Sequence, residues 1–282
     1  MTRTLLSNLL ILLCGLSFAL LSGCSPEGPR PEPSQIEVVS PSLVDPHEKR
    51  PLLLVLHGFK GSPFLESLYF SFSRLVDSKR FHLAYLEGTR DGEGRRYWNA
   101  SDSCCNLDRL PVDDSRYIAD VIKALKTRLP ISQVYVLGHS NGAFMAYRLL
   151  CDHGDLIDGI VSLAGADGSH EGCVPFSKPK KIVHIHGTND QVISDQGGSF
   201  HGLPTYPSVS ETLSRWQKRL GCSGSRSESK NYSNAIWGED SGLRHYECGG
   251  GNQLTQIEIL GGSHIPFIND AFRNDVLDLL LK

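Results

Sequence analysis

The amino-acid sequence predicts an α/β fold, with one mostly parallel central sheet and helices on both of its faces. Mostly apolar runs recur along the chain, at residues 51–56, 81–86, 134–137, 159–163, 182–185 and 256–260. Strands that are apolar on both faces are typical of parallel sheets covered on both sides. Segments with a helical apolar period alternate with these runs, at residues 117–129, 143–150 and 271–280. This alternation along 282 residues favours one large α/β domain.

Charge and composition exclude several classes of protein. The chain has 28 basic and 31 acidic residues and a formal net charge of -3. That balance lacks the positive excess by which proteins bind nucleic acid, so no nucleic-acid partner is expected. The contents of 28 glycines and 15 prolines are ordinary for a globular protein and argue against collagen-like or disordered classes.

Residues 1–23 predict an export signal of the lipoprotein type. Arg3 precedes an apolar run that is marginal for a membrane span and has no basic stop-transfer flank. The ending Leu21-Ser22-Gly23-Cys24 resembles the lipobox of bacterial lipoproteins, in which the cysteine carries the lipid. An ordinary signal peptide with a chance cysteine is the alternative. Residues 24–35 are rich in proline and predict an extended tether, so the folded domain is expected at residues 36–282.

The cysteine count supports the same compartment. The chain has eight cysteines, of which Cys14 lies in the predicted signal and Cys24 is the predicted lipid site. The remaining six are Cys104, Cys105, Cys151, Cys173, Cys222 and Cys248. An even set in an exported domain predicts three disulfides.

The segment Gly138-His139-Ser140-Asn141-Gly142 predicts a nucleophile elbow. An apolar strand precedes it and a helical pattern begins at Ala143, so the serine falls on a tight strand-to-helix turn. The free N–H groups at the start of the helix then face developing negative charge. The alternative is a glycine-rich turn whose serine has no chemical role.

A serine nucleophile needs a base and an acid that orients the base. Asp190 follows the apolar run 182–185, and His264 follows the run 256–260. Both positions lie just beyond a strand's carboxyl end, where open α/β sheets carry their sites. We therefore predict Asp190 as the acid and His264 as the base, with a turn aspartate and a packed histidine as the alternatives. Asp195 is the rival acid because it lies in the same loop.

The oxyanion hole of such a site needs two backbone N–H donors. One is expected from Asn141, directly after the nucleophile, and the other from Phe59 in the loop after the first long strand. His57 is expected to orient this loop. His57 and Trp98 are also the predicted substrate-pocket residues, although Trp98 equally suits a place in the core.

Several motifs occur in one characteristic order along the chain. They are Leu56-His57-Gly58, Trp98-Asn99 before Cys104-Cys105, the elbow at 138–142, His184-Ile185-His186-Gly187-Thr188-Asn189-Asp190, Trp216 before Gly221-Cys222, and Gly261-Gly262-Ser263-His264. In this order they resemble the secreted esterase family of polyhydroxybutyrate depolymerases and feruloyl and acetylxylan esterases, which has the α/β-hydrolase fold. The resemblance runs from about residue 51 to residue 266. It implies that Ser140 is the nucleophile, Asp190 the acid and His264 the base.

Two further expectations concern the cysteines and the histidines. Adjacent cysteines close a strained ring, so Cys104 and Cys105 are expected to bond Cys151 and Cys173, which leaves Cys222 with Cys248. His184 and His186 would face one side of a strand, but no third ligand stands at metal-binding spacing. We therefore predict no metal site and no cofactor.

Together these features predict an exported, lipid-anchored serine ester hydrolase, monomeric and bound to membrane only through its lipid. The expected substrates are hydroxyalkanoate oligomers or feruloyl and acetyl esters. The expected location is the periplasmic or cell-surface side of the envelope, or the medium. A peptidase on the same fold and a catalytically idle envelope-binding lipoprotein are the alternatives.

Overall fold

The computed structural model describes residues 30–42, 45–168, 173, 175–232 and 241–282. The predicted export signal at residues 1–23, the lipid site Cys24 and the first half of the predicted tether, to residue 29, lie outside the described residues. In the described part of the chain, no helix combines the length and apolar character needed to cross a membrane.

Twelve strands and six α-helices occur in the described residues. The strands are β1 (Arg50–Leu56), β2 (His82–Leu86), β3 (Thr89–Arg90), β4 (Arg96–Tyr97), β5 (Ile131–His139), β6 (Gly159–Leu163), β7 (Lys181–Gly187), β8 (Gly198–Ser199), β9 (Thr205–Tyr206), β10 (Cys222–Lys230), β11 (Ser241–Cys248) and β12 (Gln253–Ile259). The helices are α1 (Pro63–Phe70), α2 (Val76–Lys79), α3 (Asp114–Arg128), α4 (Asn141–Asp152), α5 (Val209–Leu220) and α6 (Asp270–Leu281).

Eight of the strands form one sheet in the order β10-β11-β12-β7-β6-β5-β1-β2. All neighbours from β12 to β2 pair in parallel. Strand β11 runs antiparallel to both β10 and β12. The prediction of a mostly parallel sheet is therefore confirmed, with an antiparallel pair added at one edge.

Each face of the sheet buries its own apolar layer. Leu52, Leu54 and Leu56 pack on one side with residues of α3, α4 and α5. Leu53 and Val55 pack on the other side with residues of α1, α2 and α6. Successive side chains of a strand point to opposite faces, so a continuous apolar run supplies both layers. Each such side chain, once fully buried, contributes roughly 1.5–3 kcal/mol.

The parallel register places four loops at one edge of the sheet. Leu56 of β1 lies beside Gly138 of β5, and Ile259 of β12 lies beside Gly187 of β7. The loops that follow these strands therefore emerge at the same carboxyl edge. They carry the four segments from which the sequence predicts a site.

The disulfides correct one prediction. Cys222 bonds Cys248, as expected, across the paired strands β10 and β11. The expectation that Cys104 and Cys105 reach Cys151 and Cys173 is wrong, because Cys104 bonds Cys105 and Cys151 bonds Cys173. The peptide bond between Cys104 and Cys105 is cis and their Cα atoms are 3.2 Å apart, which allows neighbouring residues to be joined.

The start of the domain also differs from the prediction of a tether over residues 24–35. The compact unit begins at Pro31, and Pro33–Gln35 forms a short 3₁₀-helix. The Tyr117 hydroxyl donates to the Pro31 carbonyl at 2.8 Å, and the Arg128 guanidinium donates to the carbonyls of Ser34 and Ile36 at 2.6 and 2.8 Å. These polar contacts from α3 fix backbone that the proline content alone would leave extended.

Candidate active site

Ser140 lies at the turn between β5 and α4 in a strained backbone conformation. Its φ and ψ are 53° and -118°, a region that non-glycine residues rarely occupy. The Ser140 N–H donates to the Leu163 carbonyl at 2.8 Å, and the Ser140 carbonyl accepts from the N–H groups of Ala143 and Phe144. Strand β6 and the first turn of α4 therefore hold the serine in place. This geometry is that of the predicted nucleophile elbow.

The structure brings the three predicted residues Ser140, His264 and Asp190 together in one hydrogen-bonded chain. His264 Nε2 lies 2.9 Å from Ser140 Oγ. His264 Nδ1 lies 2.7 Å from Asp190 Oδ2. The other oxygen of Asp190 accepts from the N–H groups of Val192 and Ile193 at 2.8 and 2.9 Å. Every oxygen of this buried carboxylate is therefore occupied and the imidazole is oriented toward the serine.

The charge on Asp190 fixes the tautomer of His264. Burial alone would raise the pKa of Asp190, but hydrogen bonds from His186 and His264 outweigh it and hold that pKa well below its usual range. An ionised carboxylate only accepts hydrogen bonds, so His264 Nδ1 carries the proton and Nε2 presents its lone pair. In this state Nε2 accepts from the Ser140 hydroxyl, which is the arrangement a general base needs.

Asp195, the rival acid, is not part of this chain. Its carboxylate accepts from the side chain of Gln196 at 3.2 Å, and its carbonyl accepts from Val209 N–H at 2.9 Å. Among the described residues, the carboxylate that reaches the His264 imidazole is that of Asp190. The geometry thus favours Asp190 over Asp195.

The loop after β1 lies directly beside the serine. A Cβ placed on Gly58 would be 3.2 Å from Ser140 Cβ, so the glycine permits this close approach. Within the described part of the chain, neither Phe59 N–H nor Asn141 N–H has a hydrogen-bond acceptor. Two backbone N–H groups, one in the loop beside Ser140 and one on the residue after it, therefore have no acceptor among the residues that the structure describes and could serve as oxyanion donors.

The predicted pocket residues His57 and Trp98 occupy a different place. Both are completely buried, so the prediction that they line an open pocket is wrong. His57 Nδ1–H donates to the Gly58 carbonyl at 2.8 Å, and Nε2 accepts from Gly88 N–H at 2.9 Å. Burial lowers the pKa of His57, which keeps the ring neutral as these two bonds require. His57 therefore orients the loop, as the alternative prediction held.

Hydrogen bonds of Trp98 hold the long loop after β2 against the loop after β1 and against the first residue of α4, Asn141. The Trp98 indole N–H donates to the His57 carbonyl at 2.9 Å. Asn141 Oδ1 accepts from Trp98 N–H at 2.6 Å, and Asn141 Nδ2 donates to the Trp98 carbonyl at 2.9 Å. Each of these bonds satisfies a buried polar group, and leaving such a group without its partner costs about 1–3 kcal/mol of stability. The side chain of Asn141 thus anchors a second loop beside the free N–H group of its own backbone.

Five exposed apolar side chains, which we call the apolar rim, belong to α1 and to the segment after His264. They are Phe64, Leu65 and Leu68, at 66%, 54% and 59% exposure, and Ile265 and Phe267, at 57% and 78%. The Tyr69 hydroxyl donates to the Pro266 carbonyl at 2.7 Å and joins the two segments. Clustered exposed apolar side chains mark contact with an apolar ligand or surface more often than single exposed residues do.

Three polar residues near the chain of Ser140, His264 and Asp190 were not predicted from the sequence. Glu66 is a buried acid in a helix whose side chains Phe64, Leu65 and Leu68 are exposed. His139 contacts Glu66, and His186 Nε2 lies 3.4 Å from Asp190 Oδ2. His139 belongs to the elbow at 138–142 and His186 to the motif at 184–190, but neither motif assigns a role to these positions. Glu66 belongs to no motif, and its burial is set by tertiary contacts that no local pattern encodes.

His184 and His186 stack on each other with ring centroids 5.7 Å apart. Burial and the neighbouring His186 lower the pKa of His184 to about 3, so this ring is neutral. His184 Nδ1 hydrogen-bonds the Tyr147 hydroxyl at 2.8 Å. Packing and hydrogen bonding account for the pair, and in the part of the chain that the structure describes no three His, Cys, Asp or Glu side chains cluster as metal ligands would.

Comparison with known proteins agrees with this geometry. The family profile described as "alpha/beta hydrolase fold" matches residues 51–183. This chain has the α/β-hydrolase fold. Its fold matches that of an acetyl xylan esterase from Aspergillus awamori, with a TM-score of 0.59 and 14% identity over 88% of this chain and 96% of that chain. The resemblance drawn from the sequence motifs is confirmed at the level of the α/β-hydrolase fold.

Two known proteins are similar in sequence to this chain. NocK of Nocardia uniformis subsp. tsuyamanensis, which is named as an esterase, is 32% identical over 171 residues, 60% of this chain and 46% of NocK. The bifunctional acetylxylan esterase/xylanase XynS20E of Neocallimastix patriciarum is 25% identical over 251 residues, 87% of this chain and 32% of that protein. The chain spans less than half of the length of either relative.

Proposed function

We propose that this protein is a serine hydrolase of carboxylic esters. The observation that carries the proposal is the hydrogen-bonded chain from Ser140 through His264 to Asp190 beside two free backbone N–H groups. Nucleophile, base, orienting acid and oxyanion donors are the parts that acyl transfer requires. The relatives named as esterases support the same chemistry.

The proposed reaction has two halves. His264 Nε2 takes the Ser140 hydroxyl proton while Oγ forms a bond to the ester carbonyl carbon, and the carbonyl oxygen becomes an oxyanion. The N–H groups of Phe59 and Asn141 stabilise that oxyanion, and the loss of one such donor typically costs about 3–4 kcal/mol. The tetrahedral intermediate expels the alkoxide, which takes the proton from His264 and leaves as the alcohol. Water then cleaves the acyl-enzyme by the same steps, and Asp190 remains ionised throughout.

The proposed substrates are acetyl or feruloyl esters, with hydroxyalkanoate oligomers as the second candidate. The relatives named as acetylxylan esterases favour the first class. The exposed apolar rim next to His264 favours the second, because an aliphatic polyester chain would bury apolar surface against it. Two alternatives must be distinguished from ester hydrolysis by the test. One is amide hydrolysis, as in a peptidase, and the other is a catalytically idle role in binding the cell envelope.

We also propose that the protein is exported and lipid-anchored through Cys24. The support is the sequence pattern of residues 1–24 together with the three disulfides, which are typical of proteins outside the cytoplasm. Incorporation of labelled palmitate into the protein but not into Cys24→Ala tests this part, and equal labelling of both would contradict it.

The test of the proposed activity compares the protein with Ser140→Ala. We expect the protein to hydrolyse p-nitrophenyl acetate, and we expect Ser140→Ala to lose at least about 10⁴-fold in kcat because no other nucleophile replaces Oγ. The panel adds acetylated xylan, a methyl ferulate ester, a hydroxybutyrate trimer and a matched peptide amide. Equal rates for the two proteins would contradict the proposal. Hydrolysis of the amide in preference to every ester would favour the peptidase.

A further inference from the structure

A second carboxylate–imidazole pair lies next to the proposed catalytic chain. Glu66 on α1 is buried, although the neighbouring Phe64, Leu65 and Leu68 of the same helix are exposed. Glu66 Oε1 lies 3.1 Å from His139 Nδ1 and accepts from Gly58 N–H at 3.3 Å. Placing a carboxylate inside and apolar side chains outside is unfavourable for a helix that only packs. The contacts of Glu66 therefore point to a role at the site.

The partner of Glu66 connects it to the loop that carries the base. His139 directly precedes Ser140, and its Nε2 lies 3.3 Å from the His264 carbonyl oxygen. The His139 ring lies between two others, with centroids 5.7 Å from Tyr69 and 5.5 Å from His264. Glu66 and His139 thus link the loop after β1 to the loop after β12.

The acceptors on either side of His139 fix its protonation state. A carboxylate and a backbone carbonyl only accept hydrogen bonds, so both bonds form only when both ring nitrogens carry protons. The charged groups that face the ring are Glu66 and Asp190, with Tyr69 and His264 as the other titratable neighbours. Burial lowers the pKa of His139, but the hydrogen bond and charge of Glu66 outweigh this and raise it. The direction of this shift and the two bonds therefore favour the same form of the ring, the imidazolium.

We propose that Glu66 and His139 are positioning residues that hold the Phe59 N–H and the His264 imidazole in the correct place relative to the Ser140 hydroxyl. The link runs from Gly58 N–H through the Glu66 carboxylate and the His139 imidazolium to the His264 carbonyl. It rests on the proposed function, because it matters only if Phe59 N–H and His264 act on the substrate. When His139 loses a proton, one of its two bonds is lost and the two loops are no longer tied to each other.

The test replaces Glu66 by glutamine, which keeps the shape and an acceptor oxygen but removes the charge. At pH 8 we expect kcat for p-nitrophenyl acetate to fall about ten- to hundredfold with little change in KM, because small misplacements of reacting groups cost about this much. Without the Glu66 charge the pKa of His139 falls, so the variant is expected to hold the imidazolium over a lower range of pH than the wild type does. The deficit relative to the wild type is therefore expected to narrow as the pH falls.

Asp158→Asn is the matched control. Asp158 accepts from Val134 N–H and from Lys178, each at 2.8 Å, at the opposite edge of the sheet. Like Glu66→Gln, the Asp158→Asn substitution removes one negative charge from a carboxylate that accepts a backbone N–H. We expect its kcat to stay within about twofold of the wild type at both pH values, whatever its effect on thermal unfolding.

A second variant covers the case in which Glu66→Gln does not fold. His139→Gln keeps one amide donor for Glu66 but has no titratable group, so its deficit is expected to be similar at pH 6 and pH 8. A Glu66→Gln or His139→Gln protein that unfolds earlier but keeps wild-type kcat would overturn the inference. So would a Glu66→Gln deficit that does not change with pH. If the wild type itself fails to hydrolyse the ester, the proposed function fails instead.

Discussion

Replacement of Asp190 by asparagine is expected to lower kcat for ester hydrolysis by about four orders of magnitude while the fold stays intact. The asparagine oxygen can still accept from the N–H groups of Val192 and Ile193, which turns its NH₂ group toward His264. That NH₂ group donates to His264 Nδ1 and forces the proton onto Nε2. Such a histidine donates to Ser140 and cannot take its proton.

The measurement is kcat for p-nitrophenyl acetate, with Asp195→Asn as the control. Asp195 lies in the same loop and was the rival acid, but its carboxylate contacts Gln196. We expect Asp195→Asn to keep kcat within about threefold of the wild type, since surface changes away from the reacting groups have small effects. A loss of less than tenfold for Asp190→Asn, or an equal loss for both variants, would show that the assignment of the acid is wrong.

Replacement of Gly142 by alanine is expected to destabilise the protein strongly. A Cβ at this position would overlap the Leu56 carbonyl oxygen and lie 2.8 Å from that of His57, so α4 would have to move away from β1. Because the contact is with backbone, no side chain can rotate to relieve it. We expect a loss of about 3 kcal/mol or more, the upper end for overpacking. In a domain of this size that corresponds to a fall of about 6–12 °C in Tm.

Gly242→Ala is the control for this substitution. A Cβ on Gly242 would meet its nearest neighbour, the side chain of Glu258, at 3.8 Å, which is ordinary van der Waals contact. Alanine in a strand also loses less conformational freedom on folding than glycine does. We expect a Tm unchanged or slightly higher for Gly242→Ala. Equal Tm values for the two variants would contradict the steric role of Gly142 at the elbow.

The parallel sheet and the positions of the proposed catalytic residues follow from local sequence features. Continuous apolar runs indicate strands buried on both faces, and the carboxyl ends of parallel strands meet at one edge. Ser140, Asp190 and His264 each follow such a run, so the pattern alone predicts that they lie close together. The strand β10 was not predicted, because Cys222–Lys230 is mostly exposed and polar and pairs at the edge of the sheet.

Other features depend on contacts that the sequence pattern does not encode. The bond between Cys104 and Cys105 joins neighbouring residues, and the spacing of the cysteines favours more distant partners. The burial of His57 and Trp98 depends on hydrogen bonds between two loops that are far apart in the chain. Glu66 looks like a solvent-facing residue in its helix, and only its contacts with Gly58 and His139 account for its burial.

Reaction with a fluorophosphonate probe tests the central claim, that Ser140 is the nucleophile of an assembled serine hydrolase site, most directly. The probe bonds covalently only to a serine that a neighbouring base has activated. We expect mass spectrometry of the labelled, digested protein to find one adduct, on the peptide that contains Ser140, and none in Ser140→Ala. An unlabelled wild-type protein, or an adduct that persists in Ser140→Ala, would contradict this account.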